Sequence, residues 1–135
     1  AVIYIDVLEH IENDLAEMAR ASRLLRKNGT ICVLSPAHSW LFTPFDSAIG
    51  HFRRHNRPTL SSLSPAGCEI VKLDYLDSVG MLASLSNKIL LHQSIPSLQQ
   101  IKFWDRALVP LSRVLDPLTL HKVGKSILGV WRKTS

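Results

Sequence analysis

Apolar positions in this chain fall into short continuous runs and longer runs at helical spacing, and the two alternate. Val2 to Ile5 is nearly all apolar and rich in β-branched residues, as expected of a parallel strand covered on both faces. It stops at a short loop, Asp6-Val7-Leu8-Glu9-His10. A helix is predicted from Asp14 to Lys27, with Asn13 as its N-cap and Asp14 in the first turn. Leu15, Met18, Ala19, Ser22 and Leu25 share one face, with Leu24 alongside. Arg23, Arg26 and Lys27 suit the helix C-terminus, and Gly29 supplies a left-handed stop. Thr30 to Leu34 is a second strand without alternation, ended by Ser35-Pro36. Strand, helix and strand with short connections make a right-handed βαβ unit.

From Ala37 to Pro58 the period is lost. Trp40, Phe42, Phe45 and Phe52 mix with His38, His51, His55 and three arginines, the texture of a long functional loop. Thr59 to Leu63 is predicted as a short helix capped by Thr59. Gly67 then turns the chain into a strand, Glu69 to Leu76, in which Val71, Leu73 and Tyr75 alternate with Lys72 and Asp74. Helices are predicted over Val79 to Leu91 and Phe103 to Leu115, with a polar link containing Pro96 between them. Lys125 to Arg132 closes the chain as a strand. The order β-α-β-loop-α-β-α-α-β is that of an α/β protein.

Size limits this to a single domain over 1–135: with 135 residues, 46% hydrophobic and 20% charged, the chain suits one compact core and neither disorder nor a repeat array. No signal-peptide pattern opens the sequence, and no apolar run is long enough to cross a bilayer. Cys32 and Cys68 sit in or beside apolar runs and read as buried thiols, which points to a reducing, cytoplasmic setting. The formal charge of +5 permits contact with nucleic acid or anionic lipid without marking either as the partner. The sequence also opens inside an apolar strand pattern, as a piece of a longer design would.

Several blocks in order carry a family likeness. The run Tyr4-Ile5-Asp6-Val7-Leu8-Glu9-His10-Ile11, the helix ending Leu24-Leu25-Arg26-Lys27-Asn28-Gly29-Thr30, and the apolar strand after it resemble the fourth strand, fourth helix and fifth strand of class I S-adenosylmethionine (SAM)-dependent methyltransferases. Gly50-His51-Phe52-Arg53-Arg54-His55 resembles that family's G-H-x-R-R-Y stretch, with His55 in place of the aromatic residue. Ala66-Gly67-Cys68-Glu69-Ile70 resembles its A-G-F-e-v block before the sixth strand, and Gly124-Lys125-Ser126 fits the entry to the seventh. The resemblance implies the C-terminal half of a Rossmann-like sheet, with strands equivalent to 4-5-7-6, the last one antiparallel, and covering helices.

It also implies where a cofactor would lie. Asp6, Val7, Leu8 and Glu9 map beside the methionine and adenine edges of SAM. The family's glycine-rich loop and ribose-binding carboxylate have no counterpart here: the six glycines (29, 50, 67, 80, 124, 129) include no G-x-G pair, so backbone amides cannot approach the ligand in the usual way. Asp6, Glu9 and His10 also resemble a metal-binding set of some quinone O-methyltransferases, because oxygen and imidazole ligands at that spacing can converge on one cation. Equally, Glu9 and His10 can brace the helix that follows.

Three readings of the basic segment His51, Arg53, Arg54 and Arg57 stay open. Its arginine forks match an anionic substrate, Phe52 or Trp40 could stack on nucleic-acid bases, and a solvated loop needs no ligand at all. His38, His51 and His55 have no partner ligand at zinc spacing. The face Leu108-Leu111-Leu115 is assigned to core or interface and not to a membrane anchor.

The reading that follows is a truncated methyltransferase-like domain, silent without a cofactor-binding half. It would pair as a homodimer through the Val2–Ile5 strand, or with a complementary N-terminal half, because an unpaired apolar edge is a template for another chain. The alternatives are an active enzyme whose SAM-binding half is supplied elsewhere, and a small anion- or nucleic-acid-binding protein.

Overall fold

The computed structural model describes residues 1–86 and 97–135. Four strands form one mixed sheet: β1 (Val2–Ile5), β2 (Thr30–Pro36), β3 (Cys68–Leu76) and β4 (Ser126–Lys133). Their order is β1-β2-β4-β3. β1 and β2 are parallel, whereas β4 runs antiparallel to both of its neighbours. The helices are α1 (Asp14–Leu24), α2 (Pro44–Ala48), α3 (Arg57–Ser61), α4 (Ser78–Ser86), α5 (Leu98–Phe103) and α6 (Val109–Leu118), with a π-turn over Trp104–Leu108 joining the last two. The predicted helix beyond Ser86 and the Pro96 link fall on residues 87–96, outside the described residues.

Asn13 caps α1 by accepting from the Ala16 amide at 3.0 Å. The helix ends at Leu24, three residues before the predicted Lys27, because a lysine from β4 closes it. Lys133 Nζ donates to the carbonyls of Ser22 and Leu25, both at 3.0 Å, satisfying acceptors that a helix end leaves free. The left-handed residue after the helix is Asn28 (φ 65°) and not Gly29, a place where Asn is tolerated through local hydrogen bonding. The buried stripe of α1 is Met18, Ala21, Ser22 and Leu25, while Leu15 and Leu24 face solvent.

One face of the sheet carries the core. Ile31, Val33, Ile127, Trp131 and Tyr75 meet Leu8, Met18, Ala21 and Leu25 on one side and Leu60 and Leu63 on the other. Trp131 Nε1 donates to Ser64 Oγ at 2.9 Å, so the indole is buried without an orphaned donor. Gly129 leaves room for that ring, since a Cβ there would collide with the indole. Tyr4 ties β1 to α1 by donating to Glu17 Oε1 at 2.6 Å. Burial, then the bond to Glu17, pushes its phenol up to about 12.

The opposite face is a correction to the prediction that β1 is covered on both sides. Register sets Ile3 beside Cys32, Val130 and Lys72, and Ile5 beside Leu34, Leu128 and Asp74. Ile3 and Ile5 are 62% and 58% exposed, and Cys32, Leu34, Leu128 and Val130 are only partly covered. Cys32 and Cys68 are free and half-buried. On β3, a bulge between Ile70 and Lys72 turns Val71 out to solvent, while Leu73 and Tyr75 keep the predicted inward phase.

Helix α6 docks through polar groups. Asp116 accepts from the amides of Asp77 and Ser78 at 2.8 and 2.9 Å, and Ser112 donates to Asp77 Oδ1 at 2.7 Å. Ser112 and Asp116 are its buried residues, while Leu111 is 48% exposed, so the predicted leucine face is only partly used. Among the described residues no helix is long and apolar enough to cross a membrane.

Candidate functional site

The C-terminal ends of β1 and β2, where parallel sheets commonly hold ligands, meet the segment between β2 and α3. Asp6 leaves β1 with a left-handed backbone (φ 50°), held by its amide donating to Leu34 O at 2.9 Å. The chain then makes a 3₁₀ turn, Leu8–His10. Of the predicted cofactor-edge residues, Asp6 and Val7 are exposed, and Leu8 and Glu9 are fully buried.

The segment from Ala37 to Pro58 is more ordered than its sequence suggests. It contains a 3₁₀ turn (Ser39–Leu41), α2 and the start of α3. Asn56, not Thr59, caps α3, and Thr59 answers from the third helical position of a capping box. The organiser of the segment is Asp46, which is 1% exposed. Its carboxylate accepts from Thr43 N (2.8 Å), Thr43 Oγ1 (2.9 Å), His51 Nδ1 (2.8 Å) and Arg54 Nε (2.9 Å). Burial opposes ionisation, but the bonds from Arg54, His51 and Thr43 outweigh it and hold the carboxyl below its ordinary pKa. The Thr43-Pro44-Phe45-Asp46 capping box was the sequence signal that could have revealed this.

Those bonds also decide what the basic cluster does. Arg54 is spent on Asp46 and donates to Ala37 O at 3.4 Å. Arg53 donates to the carbonyls of Ile11 (3.2 Å) and Glu12 (2.7 Å) and pairs with Asp14 at 2.7 Å. Arg57 donates to His121 O at 2.8 Å and lies over the Tyr75 ring. The three guanidiniums thus point at three different parts of the molecule and do not converge. His51 shares Asp46 with Arg54 through Nδ1, while its Nε2 faces Glu9 Oε1 at 3.8 Å.

Glu9 is the least expected feature of the site. Its side chain is wholly buried, and Oε2 accepts from Ser35 Oγ at 3.2 Å. Oε1 has no hydrogen-bond partner among the described residues; His51 Nε2 lies 3.8 Å from it. Burial pushes this carboxyl above its ordinary pKa. His10 sits beside the pair, with its ring 4.6 Å from that of His51 and Nδ1 bonded to Gly50 O at 3.2 Å. One ligand atom from each of Glu9, His10 and His51 lies within 4.8 Å of the others. Of the predicted Asp6–Glu9–His10 set, Glu9 and His10 are gathered here, and His51 takes the third place.

His38 and His55 belong to other settings. The His38 ring stacks on Tyr75 at 4.7 Å and its Nε2 lies 3.0 Å from Gly124 O. His55 is 1% exposed, and its Nε2 lies 3.8 Å from Asp14 Oδ2. Burial pulls both imidazoles below their ordinary pKa.

The chain matches no family model and no curated protein.

Proposed function

We propose that this chain is the C-terminal half of a class I SAM-dependent methyltransferase sheet, silent in catalysis until a glycine-rich cofactor half adds to β1. The observation that carries the reading is the order β1-β2-β4-β3 with β4 antiparallel to both neighbours, which is the 4-5-7-6 arrangement the sequence blocks imply. On this reading Asp6 and Val7, the exposed members of the loop after β1, border SAM, and Leu8 and Glu9 shape the floor beneath it. The methyl acceptor is not specified by the fold.

What is missing from the surface favours a complementary half over a homodimer. Pairing β1 with the β1 of a second copy would satisfy the edge but leave Ile3, Ile5 and their apolar neighbours bare. A half that brings strands to the edge and helices to that face would cover both. The basic segment gives less support to an anion-binding role, because Arg53, Arg54 and Arg57 already have protein acceptors.

Calorimetric titration of the chain with SAM and S-adenosylhomocysteine tests the reading. Neither should bind more tightly than about 10 μM, or about 7 kcal/mol. One-to-one binding below that value would show that these residues form a complete cofactor site and would end the proposal.

A further inference from the structure

We infer that Glu9, His10 and His51 form a binding site for a zinc-class divalent cation. The inference does not depend on the methyltransferase reading, since it rests on local geometry alone.

Hydrogen bonds fix both histidine tautomers. Nδ1 of His51 faces the Asp46 carboxylate at 2.8 Å and Nδ1 of His10 faces the Gly50 carbonyl at 3.2 Å. Both partners can only accept, so each Nδ1 carries a proton and Nε2 is the nitrogen by which each ring, when neutral, can bind a metal. Carboxylate and carbonyl oxygens behind the imidazoles are the usual outer support of metal-bound histidine. Ser35 supports the third ligand by donating to Glu9 Oε2 at 3.2 Å, leaving Oε1 free.

The interior of the cluster is unfavourable as it stands. Nε2 of His51 and Oε1 of Glu9 face each other at 3.8 Å, with the carboxylate wholly buried and His51 8% exposed. That separation is too long for a direct hydrogen bond, so Oε1 is buried without a donor, which is costly unless positive charge lies beside it. A cation answers this arrangement. Bonds of about 2.1 Å in tetrahedral geometry set ligands about 3.4 Å apart; one ligand atom from each of the three residues lies within 4.8 Å of the others, so the set needs to close by about 1.5 Å at most. Two imidazoles and one carboxylate favour zinc-class ions over magnesium or calcium. His10 is exposed, which gives the ion an entry path and leaves a fourth position for water or a substrate oxygen.

Equilibrium dialysis of the purified chain against Zn²⁺ should show one ion per chain. Glu9→Gln and His10→Ala should each weaken binding at least about tenfold. His10→Ala changes an exposed side chain, so it stays informative should Glu9→Gln fail to fold. Co²⁺ in place of Zn²⁺ should give a visible spectrum without a thiolate charge-transfer band, which sets this site apart from one built on Cys32 or Cys68. Failure to retain Zn²⁺, retention unchanged in His10→Ala, or a thiolate band would each overturn the assignment.

Discussion

The two faces of one four-stranded sheet differ more than their sequences do. Val2, Tyr4, Ile31, Val33, Ile127 and Trp131 alternate along β1, β2 and β4 with Ile3, Ile5, Cys32, Leu34, Leu128 and Val130, and both sets are predominantly apolar. In the first set Ile31, Val33, Ile127 and Trp131 are buried in the core, and Val2 and Tyr4 pack partly buried against it. The second is partly or largely open, most of all on β1. Apolar character on both faces records a sheet made to be covered twice, as parallel sheets normally are. On the proposed reading, the less covered face is where a complementary half would sit. Monomeric domains seldom leave contiguous apolar surface of this kind unused.

The largest test of that contrast is Trp131→Ala. Trp131 is fully buried, its indole lies against Gly129 and its Nε1 is satisfied by Ser64. Removing it opens a cavity at the centre of the sealed face and should cost about 3–5 kcal/mol in urea unfolding. A loss under about 1 kcal/mol would mean that the sealed face is not the stability core.

Acid should weaken the same side of the molecule. Burial holds the His55 imidazole below its ordinary pKa, although Asp14 pulls the other way, so the unfolded chain binds its proton first. Stability should be level above about pH 7 and fall as pH drops below about 6.5, by up to about 1.4 kcal/mol per pH unit for one such group, until the folded-state pKa is reached. His38, lowered by its own burial, adds in the same direction. Urea midpoints for the protein and for His55→Leu across pH 7.5 to 5.5 check this. The variant should lose part of the slope; an identical slope would exclude His55 as a source.

Legibility followed the range of the interactions. Strands β1, β2 and β4 and the cap at Asn13 are written in local composition, and they stand within a residue or two of where the pattern puts them. The segment before α3 is not, because Asp46 organises it by gathering groups five and eight residues away, a spacing no helix or strand period carries. Helix α6 misleads for a related reason: Ser112 and Asp116 anchor it, so its leucines overstate what it buries. At the candidate site Glu9 and His10 are adjacent and readable as a pair. His51 joins them from 41 residues on, across the Phe52 N to Glu9 O bond of 2.9 Å, and in sequence it is indistinguishable from its arginine neighbours. The exposure of Ile3 and Ile5 is illegible for a different reason, since an apolar run states what a strand needs and not whether the need is met.

The smallest expected effect on stability is therefore the sharpest test of the contrast. Ile3→Thr with Ile5→Thr keeps β-branched shape at two positions 62% and 58% exposed, so the unfolding free energy of the chain should move by no more than about 0.5 kcal/mol. Association should respond instead. Any partner that adds to β1 and covers that face buries both side chains, and each isoleucine then contributes about 1.5–3 kcal/mol that threonine cannot match. Sedimentation velocity at micromolar concentration, with the chain alone and with a glycine-rich half added, separates the cases. A complex weakened in the double variant while chain stability is unchanged places the contact on this face. If the variant instead loses several kcal/mol of its own stability, the face is already covered within the chain, and the need for a second half disappears with it.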